Sequence, residues 1–73
     1  MLGRMYGGQK LREYRKTNAL SAVEMALRIG ISQSALTRIE LGQFRPAWKT
    51  MQRIAECTDG AVTANDFMDQ RVA

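Results

Sequence analysis

The stretch ALRIGISQSALTRIELG, residues 26–42, constrains this chain most, because two helical patterns meet at Gly30 with about three residues between them. The spacing predicts a helix over SAVEMALRI, residues 21–29, with Met25, Ala26 and Ile29 as its apolar stripe. A second follows over QSALTRIEL, residues 33–41, with Ala35, Leu36 and Ile39 at helical spacing. Ser21 and Glu24 have the S-x-x-E spacing of a capping box, and Ser32 is placed to cap the second helix. Gly30 suits a helix end, where the chain turns through the left-handed region. A joint this short, containing a glycine, forces its two helices to cross steeply. Ala26 is small enough for the backbones to approach, and Ile31 fills the corner.

The remaining segments must supply a core behind that pair. QKLREYRKT, residues 9–17, reads as a first helix with Leu11 and Tyr14 on one face. AWKTMQRIAECT, residues 47–58, reads as a fourth, with Pro46 suited to its first turn and Met51, Ile54 and Ala55 facing inward. Val62 is expected to be buried, and Thr63 with Asp66 caps a short fifth helix that ends in Phe67 and Met68. Residues 1–8, with Gly3, Gly7 and Gly8, read as a flexible arm, residues 9–68 as the domain and residues 69–73 as a short tail. Five short helices with short connections and no strand make an all-α domain.

Composition removes several classes of function. There is one cysteine, Cys57, and no histidine, which excludes an internal disulfide, the usual zinc sites and a Ser-His-Asp set. The expectation is a non-enzymatic, cytoplasmic protein with no cofactor, no metal, no signal peptide and no membrane span. The net charge of +4 is unevenly spread. Residues 1–53 carry ten of the eleven basic residues and three acids, a net of +7, whereas residues 54–73 carry Arg71 against four acids, a net of −3. A basic body fits a polyanion partner, but a solvated basic surface would look the same.

If Leu36 and Ile39 anchor the third helix, its opposite face presents Gln33, Ser34, Thr37 and Arg38. All four are hydrogen-bond donors, three also accept, and none is an acid. That is the side-chain set a helix uses to read base edges in the major groove. The start of the same helix offers free amides to a phosphate.

These residues carry a resemblance. The frame L-R-x-x-R, then A-x-x-x-G-I-S-Q, R-I-E-x-G and Pro over residues 11–46 resembles the phage repressor/Cro-type helix-turn-helix family, also called the XRE family. The likeness covers about residues 9–68 and implies a compact five-helix, lambda-repressor-like DNA-binding domain. It implies that Gln33, Ser34, Thr37 and Arg38 read bases. It implies that Gln43 and Arg45 touch phosphate, and that Arg15 and Glu40 form a structural ion pair; Ser21 and Ser32, at the starts of the two helices, are further candidate phosphate contacts on their own chemistry. Double-stranded DNA is the implied partner, bound by a homodimer on a palindromic operator as a repressor or autoregulator, with a regulatory protein as a further possible partner. Ala22 departs from the family pattern, in which glutamine commonly stands there and contacts phosphate.

Other readings stay open on the residues. The same fold serves antitoxins and anti-activators, which are protein-interaction modules. RNA binding lacks an exposed aromatic stacking platform. Trp48 and Phe44 suit a satellite core under the loop, a dimer contact or packing on a sugar. Phe67 and Met68 suit the core or, with Trp48, a subunit interface.

Overall fold

The computed structural model describes residues 6–68, which form five helices: α1 Gly7–Thr17, α2 Ala22–Ile29, α3 Gln33–Glu40, α4 Trp48–Cys57 and α5 Ala64–Met68. No strand occurs among the described residues. The domain is all-α, as the periodicity predicts.

Helix α1 begins two residues earlier than its sequence pattern predicts. The Tyr6 N–H donates to Gln9 Oε1 at 3.2 Å, and Gly7 and Gly8 lie buried in the first turn. This corrects the arm assigned to residues 1–8. The reason is tertiary. A Cβ on Gly7 would stand 2.6 Å from Phe67 Cδ1, and one on Gly8 would overlap the Ile39 carbonyl oxygen. Only residues without a side chain let α1 pass this close to α5 and to the end of α3. The rest of the expected arm, residues 1–5, and the tail at 69–73 lie outside the described residues.

The α2–α3 joint forms as its sequence predicts. Ser21 Oγ accepts from the Glu24 N–H at 3.0 Å, and Glu24 Oε1 accepts from the Ser21 N–H at 3.1 Å, which completes the capping box. Gly30 adopts φ 87°, and the N–H groups of Gly30 and Ile31 both donate to the Ala26 carbonyl. Ser32 Oγ then accepts from the Ala35 N–H at 3.1 Å. At the far end of α3, Gly42 donates to the Ile39 carbonyl and Gln43 to that of Arg38, a Schellman closure that sets the direction of the following loop. Pro46 is buried ahead of α4 rather than inside its first turn, and Ala47 is the N-cap.

The core lies where the five helices converge. Leu11 of α1, Met25, Ala26 and Ile29 of α2, Leu36 and Ile39 of α3, Met51 and Ile54 of α4, Val62 and Phe67 are all buried. Ala55 and Ala35 are half-buried at its edge. Thr58 is the polar member, and it is satisfied: its hydroxyl donates to the Ile54 carbonyl at 2.8 Å and accepts from the Val62 N–H at 3.1 Å. Helix α3 is held by α1 and α2, and α5 closes the other side against α1 and α4.

Asp66 does two jobs at that closure. It accepts from the Thr63 N–H at 2.8 Å to start α5, and it pairs with Lys10 of α1 at 2.8 Å. Burial alone would raise the carboxyl's pKa, but Lys10 and the Thr63 amide outweigh it and hold the value below the ordinary carboxylate range. A depressed folded value contributes stability that is complete above the unfolded pKa, about 3.9, and is lost as pH falls through the folded one. Asp66→Asn is therefore expected to flatten the acid limb of a melting-temperature profile below about pH 4, by less than about 1 kcal/mol because the pair is partly exposed. Parallel acid limbs for variant and parent would refute this.

Candidate nucleic-acid interface

Helix α3 has its orientation fixed from behind. Leu36 and Ile39 are fully buried, and such burial contributes about 1.5–3 kcal/mol per side chain, enough to decide which face points inward. The opposite face then carries Gln33, Ser34, Thr37 and Arg38, all four exposed. The structure thus brings the four candidate base-reading residues together on one outward stripe. Each sits on a helix, where backbone motion is limited, rather than on a loop.

An ion pair holds the end of that helix. Arg15 Nε donates to Glu40 Oε2 at 2.9 Å and its Nη2 to Oε1 at 3.0 Å, while Nη1 reaches the Leu20 carbonyl at 3.3 Å. Glu40 is 7% exposed, so its carboxylate depends on this fork. The hydrogen bonds that Arg15 donates to Glu40 raise its pKa further above the ordinary value, against an opposing effect of burial. The pairing expected of Arg15 and Glu40 is present, and it links α1 to the last residue of α3.

The candidate phosphate contacts surround the stripe in sequence. Ser21 and Ser32 are exposed N-caps whose oxygens already accept backbone N–H groups, which leaves their hydroxyl protons to donate outward. Gln43 and Arg45 are exposed in the loop that leaves the Schellman turn. The amides of Gln33 and Ser34 precede the first intrahelical bond of α3 and have no acceptor among the described residues.

The interface candidates divide. Phe67 is a correction: it is fully buried, with its ring against Gly7, and belongs to the core rather than to a subunit surface. Trp48 is 59% exposed, and Phe44 is also largely exposed, so neither forms a satellite core under the loop. Met68 is exposed as well.

Four contacts escaped the sequence reading. The Tyr6 hydroxyl donates to the Glu40 carbonyl at 2.8 Å, and Lys10 is committed to Asp66. Arg53 Nη1 reaches the Ile29 carbonyl at 3.4 Å, and the Cys57 thiol donates to that of Arg28 at 3.2 Å, so α4 covers the carbonyl end of α2. The basic character of Lys10 and Arg53 gave no sign of these local duties. Burial pushes the Cys57 thiol pKa up, as expected of an unreactive cysteine.

Comparison with known proteins assigns the sequence to a family. A helix-turn-helix family model matches residues 11–62, which takes in α2, α3 and their joint. The ImmF control region 10 kDa protein of Bacillus phage phi105 is 40% identical over 48 residues, 66% of this chain and 53% of the phage protein. The chain thus spans about half the length of that relative. No solved structure matches significantly. No helix among the described residues is long and apolar enough to cross a membrane. With its tight α2–α3 joint, its outward polar stripe and a family match over most of its length, the chain belongs to the phage repressor/Cro-type helix-turn-helix family of DNA-binding transcription regulators.

Proposed function

We propose that this protein is a repressor, or autoregulator, that binds a palindromic operator as a homodimer with α3 in the major groove. The observation that carries the reading is the exposed stripe Gln33, Ser34, Thr37 and Arg38 on a helix locked from behind. In this reading Arg38 forks onto guanine O6 and N7, and Gln33 pairs with adenine N6 and N7. Ser34 and Thr37 fill the same groove. Ser21, Ser32, Gln43 and Arg45 hold the flanking phosphates and fix the register. One short helix meets few base pairs, so two copies about 34 Å apart supply the length of a specific site. Exposed Trp48 and Met68 are the side chains we assign to the subunit contact. The relative's place in a phage control region supports a regulatory role.

Selection of random duplex DNA by the purified protein at physiological salt tests this, with Gln33→Ala/Arg38→Ala alongside. The parent is expected to recover a palindromic motif, and the double variant to lose it while keeping the parent's melting temperature. Equal, salt-sensitive binding by both proteins would mean that phosphate is held without sequence reading. The antitoxin or anti-activator reading would then take precedence, with a protein as the partner.

A further inference from the structure

We propose that Tyr6 is a positioning residue for DNA binding: reaching from the start of α1, it fixes the loop after α3 in the direction that carries Arg45 to a backbone phosphate. The inference rests on the assignment of Arg45 to phosphate above and adds a residue that itself touches neither base nor phosphate. Tyr6 falls in the stretch whose glycines read as an arm, so the letters alone give it no such role.

Two contacts make the connection. The last four carbonyls of α3 lie beyond the helix's own hydrogen-bond ladder. Those of Thr37, Arg38 and Ile39 accept from the N–H groups of Leu41, Gln43 and Gly42. The fourth, on Glu40, accepts from the Tyr6 hydroxyl at 2.8 Å. The ring itself lies over the turn. A Cβ on Gly42 would stand 3.1 Å from Tyr6 Cε2 and 3.2 Å from Cζ, and one on Gly8 would stand 2.9 Å from the same Cε2. The ring edge is thus held between the first turn of α1 and the glycine that follows α3. Tyr6 is also anchored at its base, because its N–H donates to Gln9 Oε1 and its carbonyl accepts from the Lys10 N–H at 3.1 Å.

Direction matters because the loop has no ladder of its own. From Gln43 to Ala47 the chain forms neither helix nor strand, and Gln43 and Arg45 are exposed on it. Its course is therefore set at its ends, by the Gly42 turn on one side and by buried Pro46 on the other. Tyr6 clasps the first of these ends. A loop already aimed at the backbone loses less conformational freedom on binding than one that must be ordered there.

The salt dependence of duplex binding by the full chain tests the role, using Tyr6→Phe, Tyr6→Leu, Arg45→Gln and the double variant Tyr6→Leu/Arg45→Gln, each assayed below its melting transition. For Arg45→Gln the slope of log affinity against log salt is expected to fall by about 0.9 per bound subunit. Tyr6→Leu changes no charge, yet it should lower the slope as well, and Tyr6→Phe, which keeps the ring on Gly42, should lower it by less. With Arg45 already replaced, Tyr6→Leu should lower it no further. The selected motif should be unchanged, because Leu36, Ile39 and the Arg15–Glu40 fork still hold α3. A residue that only supports the fold would lower the melting temperature and leave the slope of the folded protein alone. A parent slope in Tyr6→Leu, or an equal fall with and without Arg45, would therefore overturn the positioning role while leaving the DNA reading intact. Should Tyr6→Leu fail to fold, a parent slope in Tyr6→Phe overturns it in the same way. A parent slope in Arg45→Gln would instead overturn the phosphate assignment, and no binding of any duplex by the parent would overturn the DNA reading, each taking the positioning role with it.

Discussion

Arg15→Ala is expected to destabilise the domain by about 3 kcal/mol, read as a shift in urea midpoint at unchanged slope. The substitution removes three hydrogen bonds and leaves the Glu40 carboxylate 7% exposed with no cation beside it. Stranding one charge of a fully buried pair costs about 3–5 kcal/mol, and the 16% exposure of the Arg15 side chain favours the lower end. A domain of 73 residues has about 4–11 kcal/mol to lose, so the variant would sit close to its unfolding threshold at 25 °C. Arg15→Lys should recover little, because an ammonium cannot make the two-pronged contact. The double substitution Arg15→Met/Glu40→Leu should recover most of the loss, since neither charge then remains buried. A loss under about 1 kcal/mol for Arg15→Ala would show that water screens the pair as it screens a surface bridge.

That pair also shows how far the sequence could be read. Its two positions are 25 residues apart, and no local rule joins them. They were legible only through the family frame, where their spacing is part of the pattern. The α2–α3 joint needed no such help. Ser21, Glu24, Gly30 and Ser32 act within a few residues of themselves, so capping chemistry shows directly in the letters. The outward stripe followed by geometry, once Leu36 and Ile39 were taken as the buried side. What could not be read was which polar or small residue meets a distant neighbour. Lys10 and Arg12 look alike in sequence, yet Lys10 is paired with Asp66, while Arg12 has no such partner among the described residues. Phe67 had equal claims to core and interface until Gly7 proved to be the surface its ring lies on. Trp48 went the other way. The largest apolar side chain in the chain is left exposed, against the transfer energy that would bury it.

Gly8→Ala is expected to destabilise the domain by about 3 kcal/mol, the upper end for forcing extra volume into a packed site. Helix propensity argues for the opposite sign, since alanine is favoured over glycine by about 1 kcal/mol inside a helix. The new methyl would overlap the Ile39 carbonyl oxygen and lie 2.9 Å from Tyr6 Cε2. A side chain can rotate away from such a contact, but a helix carbonyl is fixed by its neighbours. Relief therefore requires α1 to move away from the end of α3. That movement strains the Tyr6 hydroxyl bond to the Glu40 carbonyl and the Arg15 fork on the Glu40 carboxylate, so the damage spreads to the support of the polar stripe. Gly7→Ala is the internal comparison. Its nearest neighbours would be atoms of the Phe67 ring, at 2.6 Å, and a ring can tilt where a helix carbonyl cannot, so the loss should be smaller, about 1–2 kcal/mol. Urea titration of both variants, with amide exchange at Glu40 and Leu41, separates the possibilities. Faster exchange at those amides in Gly8→Ala, together with the larger loss of stability, would show that the glycine sets the distance between α1 and α3. A gain in stability for Gly8→Ala would instead mean that this position is not packed against α3 in solution, and that the N-terminal arm extends to residue 8 as the glycine-rich sequence first implies.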